Sequence, residues 1–87
     1  MSTVSLFFKI DGKRVANSLR DVHLNEGSTV LDFSSVHRID ADALRVLEDL
    51  ATLGDEKAFQ IHLRGVNVGI YKVLKLVNLA PRFCFVN

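Results

Sequence analysis

The feature that most constrains this chain is the way its apolar residues change period, from two to about 3.6 and back, along the whole length. Val4, Leu6, Phe8 and Ile10 recur at every second residue with Ser5 and Lys9 between them, which predicts a strand, and Asp11-Gly12 turns the chain. From Lys13 to Leu24, Val15, Leu19 and Val22 fall at i, i+4, i+7, a short amphipathic helix that closes on Asn25-Glu26-Gly27. Ser28 to Phe33 holds Val30, Leu31 and Phe33 in a near-continuous apolar run, the pattern of a central strand covered by helices on both faces. Asp40 then stands as an N-cap before Leu44, Leu47, Leu50, Ala51 and Leu53 at helical spacing, up to Gly54. Lys57 to Arg64 alternates again, with Phe59, Ile61 and Leu63 on one face and Gln60 and His62 on the other, and Gly65 ends it. Val66, Ile70, Val73, Leu74 and Val77 mark a third helix that stops near Asn78 and Pro81, and Phe83-Cys84-Phe85-Val86 is a last strand.

The predicted order is β-α-β-α-β-α-β with short connections, an α/β fold with a mainly parallel sheet and right-handed crossovers. No linker, repeat or low-complexity segment interrupts it, so a single small domain is expected over residues 1–87. At 87 residues such a domain buries about 60 to 65% of its unfolded surface, and every helix must serve one core. That core is expected to contain Leu44, Leu47, Leu50, Ile70, Val73 and Leu74, while Tyr71 and Phe7 fall just off their apolar faces and are candidates for a contact surface.

Composition narrows the compartment and the chemistry. Cys84 is the lone cysteine and no basic-then-apolar leader opens the sequence, which predicts a cytoplasmic protein. The longest apolar runs are four or five residues, far short of the roughly 20 that cross a bilayer, so no direct membrane insertion is expected. The net charge of +1 divides unevenly: residues 1–56 carry 6 basic and 10 acidic side chains, whereas residues 57–87 carry Lys57, Arg64, Lys72, Lys75 and Arg82 and no acid. Those five charges are scattered without surface aromatics between them, which reads as a solvated face and not as a nucleic-acid site.

No catalytic constellation is visible. Gly12, Gly27, Gly54, Gly65 and Gly69 are isolated and make no phosphate loop. His23, His37 and His62 lack partners at metal-ligand spacing, and one cysteine builds no structural zinc site. Cys84, between two phenylalanines, reads as a small buried hydrophobe and not as a nucleophile. The expectation is a non-enzymatic chain with no cofactor and no metal.

The junction Leu31-Asp32-Phe33-Ser34-Ser35-Val36-His37-Arg38-Ile39-Asp40-Ala41-Asp42-Ala43-Leu44 runs from the central strand through a loop into a helix N-terminus. It resembles the STAS family (sulfate transporter and anti-sigma antagonist), whose members carry Asp-Leu/Phe-Ser-x-Val-x-x-Ile/Met-Asp-Ser-Ser/Thr-Gly-Leu here; Asp32, Phe33, Ser34, Val36, Ile39, Asp40 and Leu44 match. Leu63-Arg64-Gly65-Val66-Asn67 through Leu74, Leu76 and Asn78-Leu79 is similar to the strand and helix that follow in that family, so the likeness covers roughly residues 28–80. The family usually has two strands and a longer helix before the central strand, where this chain has only about 25 residues.

The resemblance implies a regulatory module that docks a protein partner through the loop and the second helix, with Ser34, Ser35, His37, Arg38, Asp40, Ala41, Asp42, Ala43 and Arg45 as partner-binding residues. In phosphorylation-switched members the second residue after the motif Asp is the phosphoacceptor Ser or Thr, and Asp42 stands at that place. A carboxylate there puts a fixed charge in the first helical turn, where the free N–H groups favour an anion by about 0.3 to 1 kcal/mol. It supplies only part of a phosphate's charge and oxygens, and Asp40 and Asp42 are also ordinary first-turn residues. The favoured expectation is an anti-sigma factor antagonist whose partner is an anti-sigma factor with serine kinase activity. The alternative is a cytoplasmic STAS subunit or domain of a transporter, a phospholipid ABC complex or a sulfate-type anion permease, with a transporter ATPase as partner; Gly65-Val66-Asn67 with Tyr71, Leu74, Lys75, Leu76, Asn78 and Leu79 resembles the ABC-complex subunit. A third reading gathers Asp32, Asp40 and Asp42 around Mg²⁺.

Overall fold

A computed structural model describes residues 5–24 and 27–86. Its elements follow the predicted order: β1 (Ser5–Lys9), α1 (Val15–Arg20), β2 (Ser28–Asp32), α2 (Ala41–Lys57), β3 (Gln60–Arg64), α3 (Val68–Leu76), a 3₁₀ turn (Ala80–Arg82) and β4 (Cys84–Val86). Val4, and Asn25 and Glu26 of the expected first helix stop, lie outside the described residues.

The four strands form one parallel sheet in the order β1-β2-β3-β4. Right-handed crossovers between strands laid down in sequence bring every helix to the same face. One face of the sheet therefore carries the core, and the expectation that helices cover β2 on both faces is corrected. Burial alternates along β2 and β3: Thr29, Leu31, Ile61 and Leu63 are buried, whereas Val30 and His62 are half-buried. The register carries this laterally, with Phe8, Leu31, Leu63 and Phe85 on the helix side and Phe7, Val30, His62 and Cys84 on the other. Cys84 is exposed, contrary to the reading of it as a buried hydrophobe, because it falls on the uncovered face of an edge strand.

The buried side chains form one cluster, with Phe33, Ile10, Leu19, Leu31, Leu47, Leu63, Ile70 and Leu74 its largest members. Leu47, Leu50, Ile70 and Leu74 are buried as expected, Leu44 is half-buried against the cluster, and Val73 is half-buried. Tyr71 and Phe7 are exposed, as their places off the apolar faces predicted. Thr29 is the one buried polar side chain among the described residues, and its hydroxyl has no hydrogen-bond partner there.

Helix boundaries depart from the apolar pattern where capping decides them. α1 ends at Arg20, before the predicted Leu24: its last turn tightens, with Asp21 N–H shared between the Asn17 and Ser18 carbonyls at 3.3 and 3.2 Å and Val22 N–H donating to the Leu19 carbonyl at 3.2 Å, and Val22 reaches the core from the loop that follows. α2 runs through Gly54 to Lys57 and closes in a Schellman turn, Phe59 N–H donating to the Gly54 carbonyl at 2.8 Å, with Ala58 left-handed at φ 58°. β3 accordingly starts at Gln60 and not at Lys57. α3 ends the same way around Asn78 (φ 62°), with Leu79 N–H donating to the Leu74 carbonyl at 2.8 Å. Arg82 then reaches Asp55 of α2 at 2.6 Å, an exposed pair that fixes the last turn in place more than it stabilises. Among the described residues no helix is long and apolar enough to cross a membrane.

Leu47→Ala removes a fully buried side chain from this cluster and is expected to destabilise by about 2 to 5 kcal/mol. Ala58→Gly relieves a left-handed Cβ and is expected to stabilise by about 0.5 to 1 kcal/mol. Urea denaturation of both variants checks the pair.

Candidate functional site

Parallel strands deliver their following loops to one end of the sheet, the end at which α/β proteins bind ligands and partners. Here the loop 33–40 after β2 lies between the turn after β1 and the turn after β3. Two glycines permit the approach. A Cβ at Gly12 would run into the Ser35 carbonyl oxygen, and Gly65, itself left-handed at φ 70°, lies where a Cβ would press on the Ser34 backbone at 3.2 Å. The glycines isolated in sequence are thus the two sides of a grip on Ser34-Ser35.

Hydrogen bonds complete it. Phe33 N–H donates to the Arg64 carbonyl at 2.7 Å, Val36 N–H to the Phe33 carbonyl at 2.9 Å, and Ser34 N–H to Asp32 Oδ1 at 3.0 Å. Asn67 has two tasks: its Oδ1 accepts from Ile70 N–H at 2.8 Å as the N-cap of α3, while its Nδ2 donates to the Val36 and His37 carbonyls at 3.4 and 3.2 Å. One side chain thereby starts a helix and fastens a loop some 30 residues away. Asn67 had not been singled out for either task, although an Asn just before a helical apolar run is a legible cap signal.

The fastened loop presents a polar rim. Ser34, Ser35, His37 and Arg38 are exposed, while Val36 is buried and Ile39 half-buried beneath them. Asp40 caps α2, its Oδ1 accepting from Ala43 N–H at 2.8 Å, as its place in the sequence predicted. Ala41, Asp42 and Arg45 project from the first turns into solvent. Ala43 is the exception among the predicted contact residues: it is fully buried, because it points from α2 into the core, and it is not available to a partner. Arg38 and Ile39 form a ridge between two hollows, one of about 370 Å³ bordered by Gly12, Lys13 and Asp40, the other of about 260 Å³ bordered by Gly69, Ile70 and Val73.

Asp32 lies between Lys9 and Arg64 in the strand register. The Ser34 backbone N–H and hydroxyl hold its carboxyl below the ordinary carboxylate value, with Arg64 and Lys9 adding attraction against a contrary effect of burial. Asp32, Asp40 and Asp42 do not converge: among the described residues no three His, Cys, Asp or Glu side chains are grouped to hold a metal ion. The Mg²⁺ reading is set aside on that geometry.

No family model matches the chain. Two curated relatives do, the intermembrane phospholipid transport system binding protein MlaB of Escherichia coli strain K12 and that of Shigella flexneri, each 37% identical over 54 residues that make up 62% of this chain. The match spans 56% of each relative's length, little more than half. Among solved structures, the crystal structure of a sulfate transporter family protein from Wolinella succinogenes superposes with a TM-score of 0.76, covering 93% of this chain and 75% of that one at 20% identity, a likeness of fold. The fold is STAS-like, four parallel strands alternating with helices, in agreement with the expected fold class.

Asn67→Ala should destabilise by about 1 to 3 kcal/mol and speed amide exchange at Ile70, which loses its acceptor, and at Val36, whose N–H bond to the Phe33 carbonyl opens once the loop is no longer fastened at its carbonyls. Asn67→Asp keeps the acceptor for Ile70 but not the donor for the loop, so Ile70 should stay protected while Val36 does not. Hydrogen exchange followed residue by residue separates the two tasks.

The lowered value of Asp32 also fixes a pH dependence. Because its folded-state pKa lies below the unfolded value of about 3.9, its contribution is complete above that value and disappears as pH falls through the folded one. Asp32→Asn should therefore be less stable than wild type at neutral pH and should lose less on acidification, as denaturant titrations across the acid range would register.

Proposed function

We propose that this chain is a non-catalytic docking subunit of a transport system, of the kind represented by MlaB, and that the loop 34–40 with the first turns of α2 is its contact surface. The observation that carries the reading is the 37% identity to a binding protein of an intermembrane phospholipid transport system. The geometry is compatible with it. A rigid polar rim flanked by two shallow hollows suits a partner surface better than a small substrate, which prefers a deep and largely enclosed apolar pocket. A loop fastened on three sides also loses little entropy on binding, so its contacts translate more fully into affinity.

In this reading Ser34, Ser35, His37, Arg38, Asp40, Ala41, Asp42 and Arg45 meet the partner, a transporter ATPase, at the cytoplasmic side of the membrane. Residues 1–87 act as one domain, and no catalytic step is assigned to it. Asp42 contributes a fixed negative charge in the α2 first turn, where it is exposed and acts on the partner through charge and not through packing. The relatives named above belong to a phospholipid transport system and the superposed structure to a sulfate transporter family, so the transporter alternative takes the place of the regulatory reading favoured from sequence.

The test is purification of the tagged chain from detergent-solubilised membranes of its own cells. Recovery of an ATP-binding transport component with wild type supports the reading, and recovery of a soluble anti-sigma kinase instead defeats it. Asp42→Ala and Asp42→Ser should both shift partner affinity in the same direction by about 1 to 3 kcal/mol in isothermal titration, with unchanged circular dichroism. Unaltered affinity in both would reduce Asp42 to an ordinary first-turn residue.

A further inference from the structure

Among the described residues, six of the seven large apolar side chains that stay exposed gather on α3, its C-cap and the strand β4: Val68, Tyr71, Leu76, Val77, Phe85 and Val86. Val68 is 69% exposed and Leu76 83%, values expected of charged residues on a solvated helix. Tyr71 meets Phe85 edge to face, ring centres 5.0 Å apart at 80°, and the pair walls a cleft of about 230 Å³ floored by Leu63 and Val66. Val68, Lys72 and Lys75 follow at i, i+4, i+7 and so share the outer side of α3, with Leu76 beside them. The stems of Lys72 and Lys75 form a further apolar hollow with Leu76.

The charge on this face is uncompensated. Arg82 is paired with Asp55, and Arg64 lies beside Asp32 in the register, but among the described residues neither Lys72 nor Lys75 has an ion-pair partner. No acid occurs anywhere from residue 57 to 87. A helix side that combines bare valine and leucine with unpaired lysines is not the uniformly polar surface of a solvated helix. The sequence pattern had suggested only scattered charge; folding brings these groups onto one side.

We propose that the outer side of α3, with the Tyr71–Phe85 cleft, is a second docking surface that takes an acidic segment of a protein partner. An apolar side chain of that segment enters the cleft, and its carboxylates meet Lys72 and Lys75. A site of this make-up, one buried anchor with charges at its rim, is how small interfaces concentrate their affinity. An anionic lipid surface is the poorer occupant, because two free lysines contribute only about 1 kcal/mol each there. A second copy fits poorly too: the acidic side of α2, with Glu48, Asp49, Asp55 and Glu56, exposes no large apolar residue to fill the cleft. This surface is separate from the loop 34–40 and does not depend on the transport reading.

The test uses the full isotope-labelled chain and a synthetic amphipathic peptide with leucines at helical spacing flanked by glutamates, compared with the same peptide carrying lysines. Amide shifts confined to residues 63–77 and 84–86, with affinity that falls as salt rises, are expected from the glutamate peptide alone. The double variant Lys72→Glu, Lys75→Glu should weaken it by about tenfold or more and should now accept the lysine peptide. Leu76→Ser should also weaken binding, with circular dichroism unchanged because the residue is exposed, whereas Asp42→Ala should have no effect. The proposal is overturned by absence of binding, by equal binding of both peptides, or by shifts mapped elsewhere. It is also overturned if vesicles containing phosphatidylglycerol bind where the glutamate peptide does not, or if sedimentation shows a dimer that Leu76→Ser abolishes.

Discussion

Strand order governs this molecule. Four parallel strands laid down in sequence with crossovers of one hand leave the helices only one side of the sheet. Everything buried must then lie between that side and α1, α2 and α3, which is why a single cluster runs from Ile10 to Phe83. The same constraint leaves Phe7, Val30, His62 and Cys84 on a face without a helical layer, unlike most parallel sheets. It also sends the loops after β1, β2 and β3 to a common end, where they can grip one another.

At that end, stiffness comes from close approach and not from bulk. Gly12 and Gly65 are useful for what they lack, since a side chain at Gly12 would collide with the Ser35 carbonyl and one at Gly65 would be strained by its left-handed backbone and crowded against Ser34. Asn67 adds polar specificity by satisfying a helix N-terminus and two loop carbonyls together. Each of these contacts contributes about 1 kcal/mol by ordinary measures, but they act on consecutive residues of one loop. Their shared consequence is that the polar side chains of 34–38 are displayed on a backbone with little freedom left to lose.

How far the sequence discloses this follows from the range of the interactions. Strand and helix periods are local, so the element order, the Asp40 cap and the apolar stripes of α2 and α3 are legible. Ends of helices depend on single backbone conformations, and Ala58 in a left-handed turn carries no glycine to announce it. Which face of a strand is covered depends on topology. Val30 and Cys84, apolar by type, were therefore assigned to an interior that does not extend to them. Ala43 failed for a related reason, since a motif marks a stretch of chain while the helix turns one of its members inward. The contacts of Gly12, Gly65 and Asn67 with residues 34–37 join distant segments, and nothing in their local sequence reports a neighbour.

Helix packing separates charge as well as covering the sheet. Asp42, Glu48, Asp49, Asp55 and Glu56 project from α2, while Lys72 and Lys75 project from α3, so the single helical layer carries opposite signs on its two parts. Among the described residues no ion pair joins α2 to α3, and Arg82 of the 3₁₀ turn pairs with Asp55, so the fields stay distinct instead of cancelling, and each surface attracts groups of the other sign over about a Debye length. Such a field orients an approaching partner before contact and raises its association rate more than its final affinity. The fastened loop has the complementary effect, because a surface that needs no ordering retains more of its contact energy once the partner has arrived. A chain this small can in this way be selective through charge at long range and through rigidity at short range.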